Sequence, residues 1–135
     1  MKKCNCILLV DDSLSTNIYH KKIIEKAEIT NHIRITSDGL EALNYLNDEK
    51  AQNIKPDIIF LDINMPKMDG FEFLEEYAKL PKLMRKDIII VLLTTSNWSK
   101  DRVKATETKL VYDYIEKPLD KEDLIRISNY YLEEL

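Results

Sequence analysis

The stretch FLDINMPKMDGFEFL, residues 60–74, decides the fold. Asp57-Ile58-Ile59-Phe60-Leu61 leads into it as a continuous apolar run, the pattern of a strand covered on both faces. The run stops at a carboxylate, Asp62. The loop Met65-Pro66-Lys67-Met68-Asp69-Gly70 follows, and Gly70 opens a segment with Phe71, Leu74, Tyr77 and Ala78 on one helical stripe. A strand and a helix are therefore joined through a loop that begins on an acid.

Outward from this joint the pattern repeats. Strand-like runs are expected at Cys6–Val10, Ile33–Thr36, Asp57–Leu61, Ile88–Leu93 and Val111–Glu116. Helical segments lie between and after them. Asp38-Gly39-Leu40-Glu41 reads as a capping box ahead of Ala42, Leu43 and Leu46. Ser99 precedes Asp101 in one first turn, and Asp120-Lys121-Glu122-Asp123 precedes Leu124, Ile127 and Tyr131 in another. The order βαβαβαβαβα uses the whole chain, 1–135, as one domain. Right-handed crossovers make it an α/β, doubly wound (βα)5 sandwich on a five-stranded parallel sheet.

Composition narrows the function. With 135 residues, 44% hydrophobic and 33% charged, the chain suits one soluble domain. A net charge of −4 disfavours nucleic acid as a direct partner, since phosphate backbones call for a basic stripe. The longest apolar run, Ile88 to Leu93, is far short of the roughly 20 residues that span a bilayer. Ile7 to Val10 meets Asp11-Asp12 too soon for a signal peptide, so a cytoplasmic location is expected, with no membrane partner. Cys4 and Cys6, two apart on a strand, are expected on one face as free thiols. His20 and His32 have no Cys or His near them and are expected to hold no metal.

In open α/β sheets, ligands bind beyond the carboxyl ends of the strands. Asp11 and Asp12 follow the first strand, Asp62 the third, Thr94 and Thr95 the fourth, and Lys117 and Pro118 the fifth. In strand order 2-1-3-4-5 those four strands are neighbours and their side chains converge. Three adjacent carboxylates repel one another and call for a cation. Lys117 supplies one charge, and a hard divalent ion such as Mg²⁺ supplies two and prefers oxygen ligands. An aspartate beside a metal, a lysine and a hydroxyl can attack phosphorus in line and hold the phosphoryl group as an acyl phosphate.

The stretches ILLVDDS (7–13), FLDINMPKMDGFEFL (60–74), VLLTTS (91–96) and YDYIEKPL (112–119) together resemble the receiver domain of two-component response regulators, the flavodoxin-like, CheY-like fold. The resemblance runs over essentially the whole chain. It implies that Asp62 is the phosphoacceptor, Asp12 a direct Mg²⁺ ligand, and Asp11 an acid reaching the metal through water. It implies further that the Asn64 backbone carbonyl ligates the metal and that Thr94 is the switch hydroxyl. The Thr95 N–H and Lys117 would contact the phosphoryl group, Lys117–Pro118 would be cis, and Tyr114 would turn inward on activation. The chain departs from the family in carrying Leu110 and Val111 where a Gly-Ala pair is usual, and Thr95 where alanine is common. The second hydroxyl is expected to narrow access to the phosphoryl group.

The resemblance implies a switch rather than an enzyme with an external substrate, one that catalyses its own phosphorylation and autodephosphorylation. The donor would be a sensor histidine kinase or a histidine phosphotransfer protein. The output would be a downstream protein target, bound through the face of the fourth helix, fifth strand and fifth helix by a monomer or an activation-dependent dimer. Since 17 residues follow Pro118, a stand-alone regulator without an output domain is expected. Two other readings compete. A haloacid dehalogenase-type phosphatase needs an acid where Asn64 stands, and a constitutive interaction module would take no phosphate. Ser96 flanks the site, and Trp98, four residues after Thr94, is the sole tryptophan and a natural reporter of the loop.

Overall fold

A computed structural model describes residues 3–48, 54–95 and 99–133, with the side chains of 99–102 left aside. Ser96 and Trp98 lie outside the described residues. Five strands pair in parallel: β1 (Cys4–Val10), β2 (Thr30–Thr36), β3 (Ile58–Asp62), β4 (Ile89–Thr94) and β5 (Val111–Glu116). Their order is β2-β1-β3-β4-β5, as the strand-end acids required. Helices α1 (Leu14–Ala27) and α6 (Lys121–Glu133) supply apolar residues to one core; α2 (Gly39–Leu46), α3 (Gly70–Tyr77) and α5 (Ser99–Thr108) supply the other.

Each face of the sheet has its own core. Ile7, Leu9, Ile58, Phe60, Val91 and Leu93 pack with Ile24, Leu124 and Ile127. Leu8, Val10, Ile59, Leu61, Ile90 and Leu92 pack with Ala42, Phe73 and Leu74. The period-2 alternation of β1, β3 and β4 thus feeds two layers of apolar contact, which is why these runs contain almost no polar residue. Among the described residues no helix is long and apolar enough to cross a membrane.

Several sequence expectations are corrected. A sixth helix, α4 (Lys82–Arg85), is a single turn with no buried residue, so it left no apolar period to read. Strand β2 starts at Thr30, three residues early, because Cys4 pairs with Thr30 at a half-exposed edge where hydrophobicity gives no signal. The reciprocal capping box belongs to Asp69 and Glu72 at α3. At α2, Asp38 accepts from the Glu41 amide, while the Glu41 carboxylate takes the Ser37 hydroxyl instead. Ala78 caps α3 and is exposed, and Phe73 fills the core in its place.

The two cysteines do not share a face. Asn5 turns its amide to the Asp57 carboxylate instead of the strand ladder, and the alternation breaks there. Cys4 falls in the core beneath α1 and α6, whereas Cys6 meets Tyr45 of α2. Burial pushes both thiols up to about 11, so they are protonated and unreactive at neutral pH.

Candidate functional site

Asp62 is the last residue of β3, and its side chain is 2% exposed. Its neighbour Ile63 extends the pairing by donating to the Leu93 carbonyl at 3.0 Å. The loop then folds back so that the Gly70 amide meets the Ile63 carbonyl at 2.8 Å. A Cβ on Gly70 would stand 2.9 Å from the Ile63 Cα and 3.0 Å from the Asp62 carbonyl oxygen. Glycine is therefore needed for helix α3 to start this close to the acid. Lys67, in the same loop, takes the left-handed conformation with φ 70°.

The acids converge. One carboxylate oxygen from each of Asp11, Asp12 and Asp62 lies within 4.8 Å of the others. Asp11 and Asp62 are buried and Asp12 is exposed. Asp11 is fixed from two sides: its Oδ1 accepts from the Ser13 amide at 2.9 Å, and its carbonyl accepts from Asn17 Nδ2 at 2.9 Å. The Asn64 amide reaches Asp62 Oδ1 at 3.3 Å.

Lys117 spans the acids from β5. Its Nζ stands 3.1 Å from Asp11 Oδ2 and 3.1 Å from Asp62 Oδ1. Its backbone amide donates to the Thr94 carbonyl, and its bond to Pro118 is cis. Burial raises the Asp62 carboxyl to about 6, and the negative charge of Asp11 adds to this while Lys117 opposes it. Burial also works against the Lys117 charge. The hydrogen bond to Asp11 and the charge of Asp62 outweigh it, so the ammonium is held above its ordinary value.

Three ionised carboxylates against one ammonium leave a local charge of −2. That deficit, with oxygen donors alone and one acid open to solvent, suits a hard divalent cation such as Mg²⁺. The residues present therefore fit the metal.

Thr94 is fully buried at the end of β4, and Thr95 is exposed. Leu92 faces Tyr114 across the β4–β5 ladder, so Thr94, two residues on, shares that face. A register shift between Ile90 and Val91 gives β5 one extra residue, Tyr112, which stacks on Tyr130 of α6 with ring centres 3.9 Å apart. The shift returns Tyr114 to the α5 side. There it is half-buried beside a cavity of about 350 Å³ that Ala105 and Thr106 also line. Leu110 and Val111, at the start of this strand, pack on the same core.

Two functional candidates escaped the sequence. Asn17 and His20 are both buried, and both bond the backbone of loops that carry site residues. With Ile24 they form the inward stripe of α1. Polar residues in a position set that should be apolar were the available signal.

Comparison with known proteins agrees with this geometry. The description "Response regulator receiver domain" matches residues 7–129. The chain is 35% identical over 133 residues to "Response regulator Rcp1" of Synechocystis, covering 94% of this chain and 88% of that one. Coverage of other curated relatives varies: the chain spans 83% of a probable methanogenesis regulatory protein of Methanothrix harundinacea but only 14% of a sensor histidine kinase of Helicobacter pylori. A two-component response regulator from Cytophaga hutchinsonii superposes with TM-score 0.90 at 31% identity, over 98% of this chain and 99% of that chain. The Mn(2+)-bound form of Rcp1 superposes with TM-score 0.71 at 33% identity, over 93% of this chain and 90% of that chain.

Proposed function

The chain belongs to the response regulator receiver domain family, whose members act in phosphorylation-dependent signalling, and from that premise we propose that Asp62 is its phosphoacceptor. The single observation that carries this is the Lys117 ammonium bridging Asp62 and Asp11 at 3.1 Å each, beside a third carboxylate.

Asp62 serves as nucleophile because it is ionised at neutral pH, with a carboxyl at about 6, and rigidly seated at the end of a buried strand. A carboxylate oxygen attacks phosphorus of a phosphohistidine. The new O–P bond forms as the P–N bond breaks, and the electron pair leaves on the imidazole nitrogen, which takes a proton from solvent. Lys117 neutralises one phosphoryl oxygen, and the Thr94 hydroxyl donates to another. The Thr95 amide is suited to the same role. Asp11 and Asp12, with Asp62 and the Asn64 carbonyl, would hold Mg²⁺, which supplies positive charge to the phosphoryl oxygens when bound. The relative Rcp1 is known in a Mn(2+)-bound form, which supports a divalent ion as a ligand of this chain.

Output follows from Thr94 and Tyr114. Drawing the Thr94 hydroxyl toward a phosphoryl oxygen frees space on the face that Tyr114 shares, and Tyr114 moves inward. The exposed face of α5, β5 and α6 then changes shape for a protein target. The extra turn α4 is why these are the fifth and sixth helices rather than the fourth and fifth. The donor is a sensor histidine kinase or a histidine phosphotransfer protein, encountered in the cytoplasm. The chemistry is turned on the protein itself, and no outside substrate is processed.

Acetyl phosphate with Mg²⁺ followed by intact mass measurement tests this. Wild type should gain one phosphoryl group and Asp62→Asn none. A constitutive interaction module would gain none in either.

A further inference from the structure

Lys117 is held at its backbone from two directions. Its own amide bonds the Thr94 carbonyl, which ties it to β4. Pro118 has no backbone N–H, so the next donor along the chain is Leu119, and that N–H bonds His20 Nε2 at 3.2 Å. His20 and Leu119 are both buried, 1% and 0% exposed, so neither group has a ready replacement in solvent. Nε2 accepts, so it carries no proton, and the ring is neutral with its hydrogen on Nδ1. Burial, the main cause, lowers the imidazole to about 4, in keeping with that neutral form.

We infer that His20 is a positioning residue of the phosphorylation site: by holding the Leu119 amide it keeps the Lys117–Pro118–Leu119 turn in place, and with it the Lys117 ammonium between Asp11 and Asp62. The inference rests on the reading of Asp62 as phosphoacceptor. The contact joins residues 99 apart in sequence, so it cannot arise from helix α1 alone. The same helix fixes the opposite partner, since Asn17 Nδ2 donates to the Asp11 carbonyl. The remaining Asn17 oxygen is buried with no hydrogen-bond partner among the described residues. An apolar residue would avoid that cost, so the amide is there for its bond to Asp11. Helix α1 thus carries one polar side chain for each of the two loops whose side chains form the Asp11–Lys117 pair.

A residue that merely fills the core would behave differently from one that aims Lys117. His20→Leu keeps the volume and removes the acceptor. His20→Gln restores an acceptor of similar reach, and His20→Asn offers one that is too short. Asp11, Asp12 and Asp62 are untouched, so Mg²⁺ should still bind in all three. Phosphorylation by acetyl phosphate should slow roughly ten-fold in His20→Leu, as expected when a charged group is misplaced by a fraction of an ångström to an ångström. His20→Gln should recover most of the wild-type rate.

A second readout is independent of activity. The Lys117 ammonium protons, protected by two carboxylates, should show slow exchange by NMR in wild type and His20→Gln, and fast exchange in His20→Leu. A folded His20→Leu with wild-type rate and protected Lys117 protons overturns the inference. If His20→Leu does not fold, the Gln and Asn variants decide, and equal rates in those two overturn it. Absence of phosphorylation in wild type itself would instead overturn the reading of Asp62, leaving the ammonium measurement to decide on His20.

Discussion

Lys117 Nζ lies 3.1 Å from Asp62 Oδ1, yet the Asp62 carboxyl is raised to about 6 rather than lowered. A single salt bridge does not offset burial next to Asp11. Asp62 is therefore seated at a cost to stability, as an acid of a preformed anionic site should be.

That cost is measurable. Folding raises the Asp62 carboxyl from 3.8 to about 6, so the folded state binds the extra proton between those pH values. Stability from this group is complete below about pH 3.8 and is lost as pH rises through 6. Asp62→Asn removes the penalty at neutral pH. Its unfolding free energy at pH 7.5 without divalent cations should exceed wild type by roughly 1–3 kcal/mol, two pKa units being worth about 2.7 kcal/mol. Calorimetry that finds the variant less stable than wild type would contradict this account of the site.

Removing the cation should do the opposite. Lys117→Ala leaves Asp11 and Asp62 buried without their partner, at a cost of about 3 kcal/mol. Mg²⁺ should still bind, since no metal ligand is lost, and should restore part of the melting temperature. Phosphorylation should be slow and should fail to move Tyr114, as read from its aromatic proton shifts. A melting temperature indifferent to both the substitution and Mg²⁺ would show that the lysine does not balance these acids.

Much of this was legible in the chain because strand ends are marked by abrupt changes of polarity. Asp11, Asp62 and Thr94 each end or follow an apolar run, Lys117 follows the last strand, and a parallel sheet places those ends together. The missing parts lack such marks. Helix α4 has no buried face, and β2 gains its first three residues from pairing with β1 rather than from hydrophobicity. The separation of Cys4 from Cys6 depends on a bond from Asn5 to Asp57, 52 positions away. The His20 contact spans 99 positions, beyond the reach of any local pattern.

A backbone effect remote from the site offers a control. Glu28 ends α1 in the left-handed conformation, φ 53°, with its amide bonded to the Glu25 carbonyl. Its side chain is exposed, so little is lost with it. Glu28→Gly should stabilise the protein by about 1 kcal/mol, since glycine adopts this conformation without a Cβ clash. Urea unfolding should show the gain with the phosphorylation rate unchanged. A destabilised variant would mean that the Glu28 side chain contributes more than its conformation costs.

The two buried ionisable groups on either side of Lys117 oppose each other in acid. His20 is lowered from 6.5 to about 4, so between those values the unfolded chain binds a proton that the folded one does not. Its contribution to stability is present above about pH 6.5 and is lost as pH falls toward 4, up to about 3 kcal/mol. Asp62 acts with the reverse sign between about 6 and 3.8. From pH 6 to pH 4 the two slopes nearly cancel, each being about 1.4 kcal/mol per pH unit in opposite directions. Wild type without divalent cations should therefore lose less stability over this range than Asp62→Asn, in which the His20 slope stands alone. Adding His20→Gln to Asp62→Asn should flatten the curve again. Urea midpoints at pH 6.5, 5.5 and 4.5 for wild type, single and double variants measure the differences, in which the remaining carboxylates drop out. If Asp62→Asn and wild type fall in parallel, Asp62 does not take up its proton in this range and the burial penalty assigned to it is wrong.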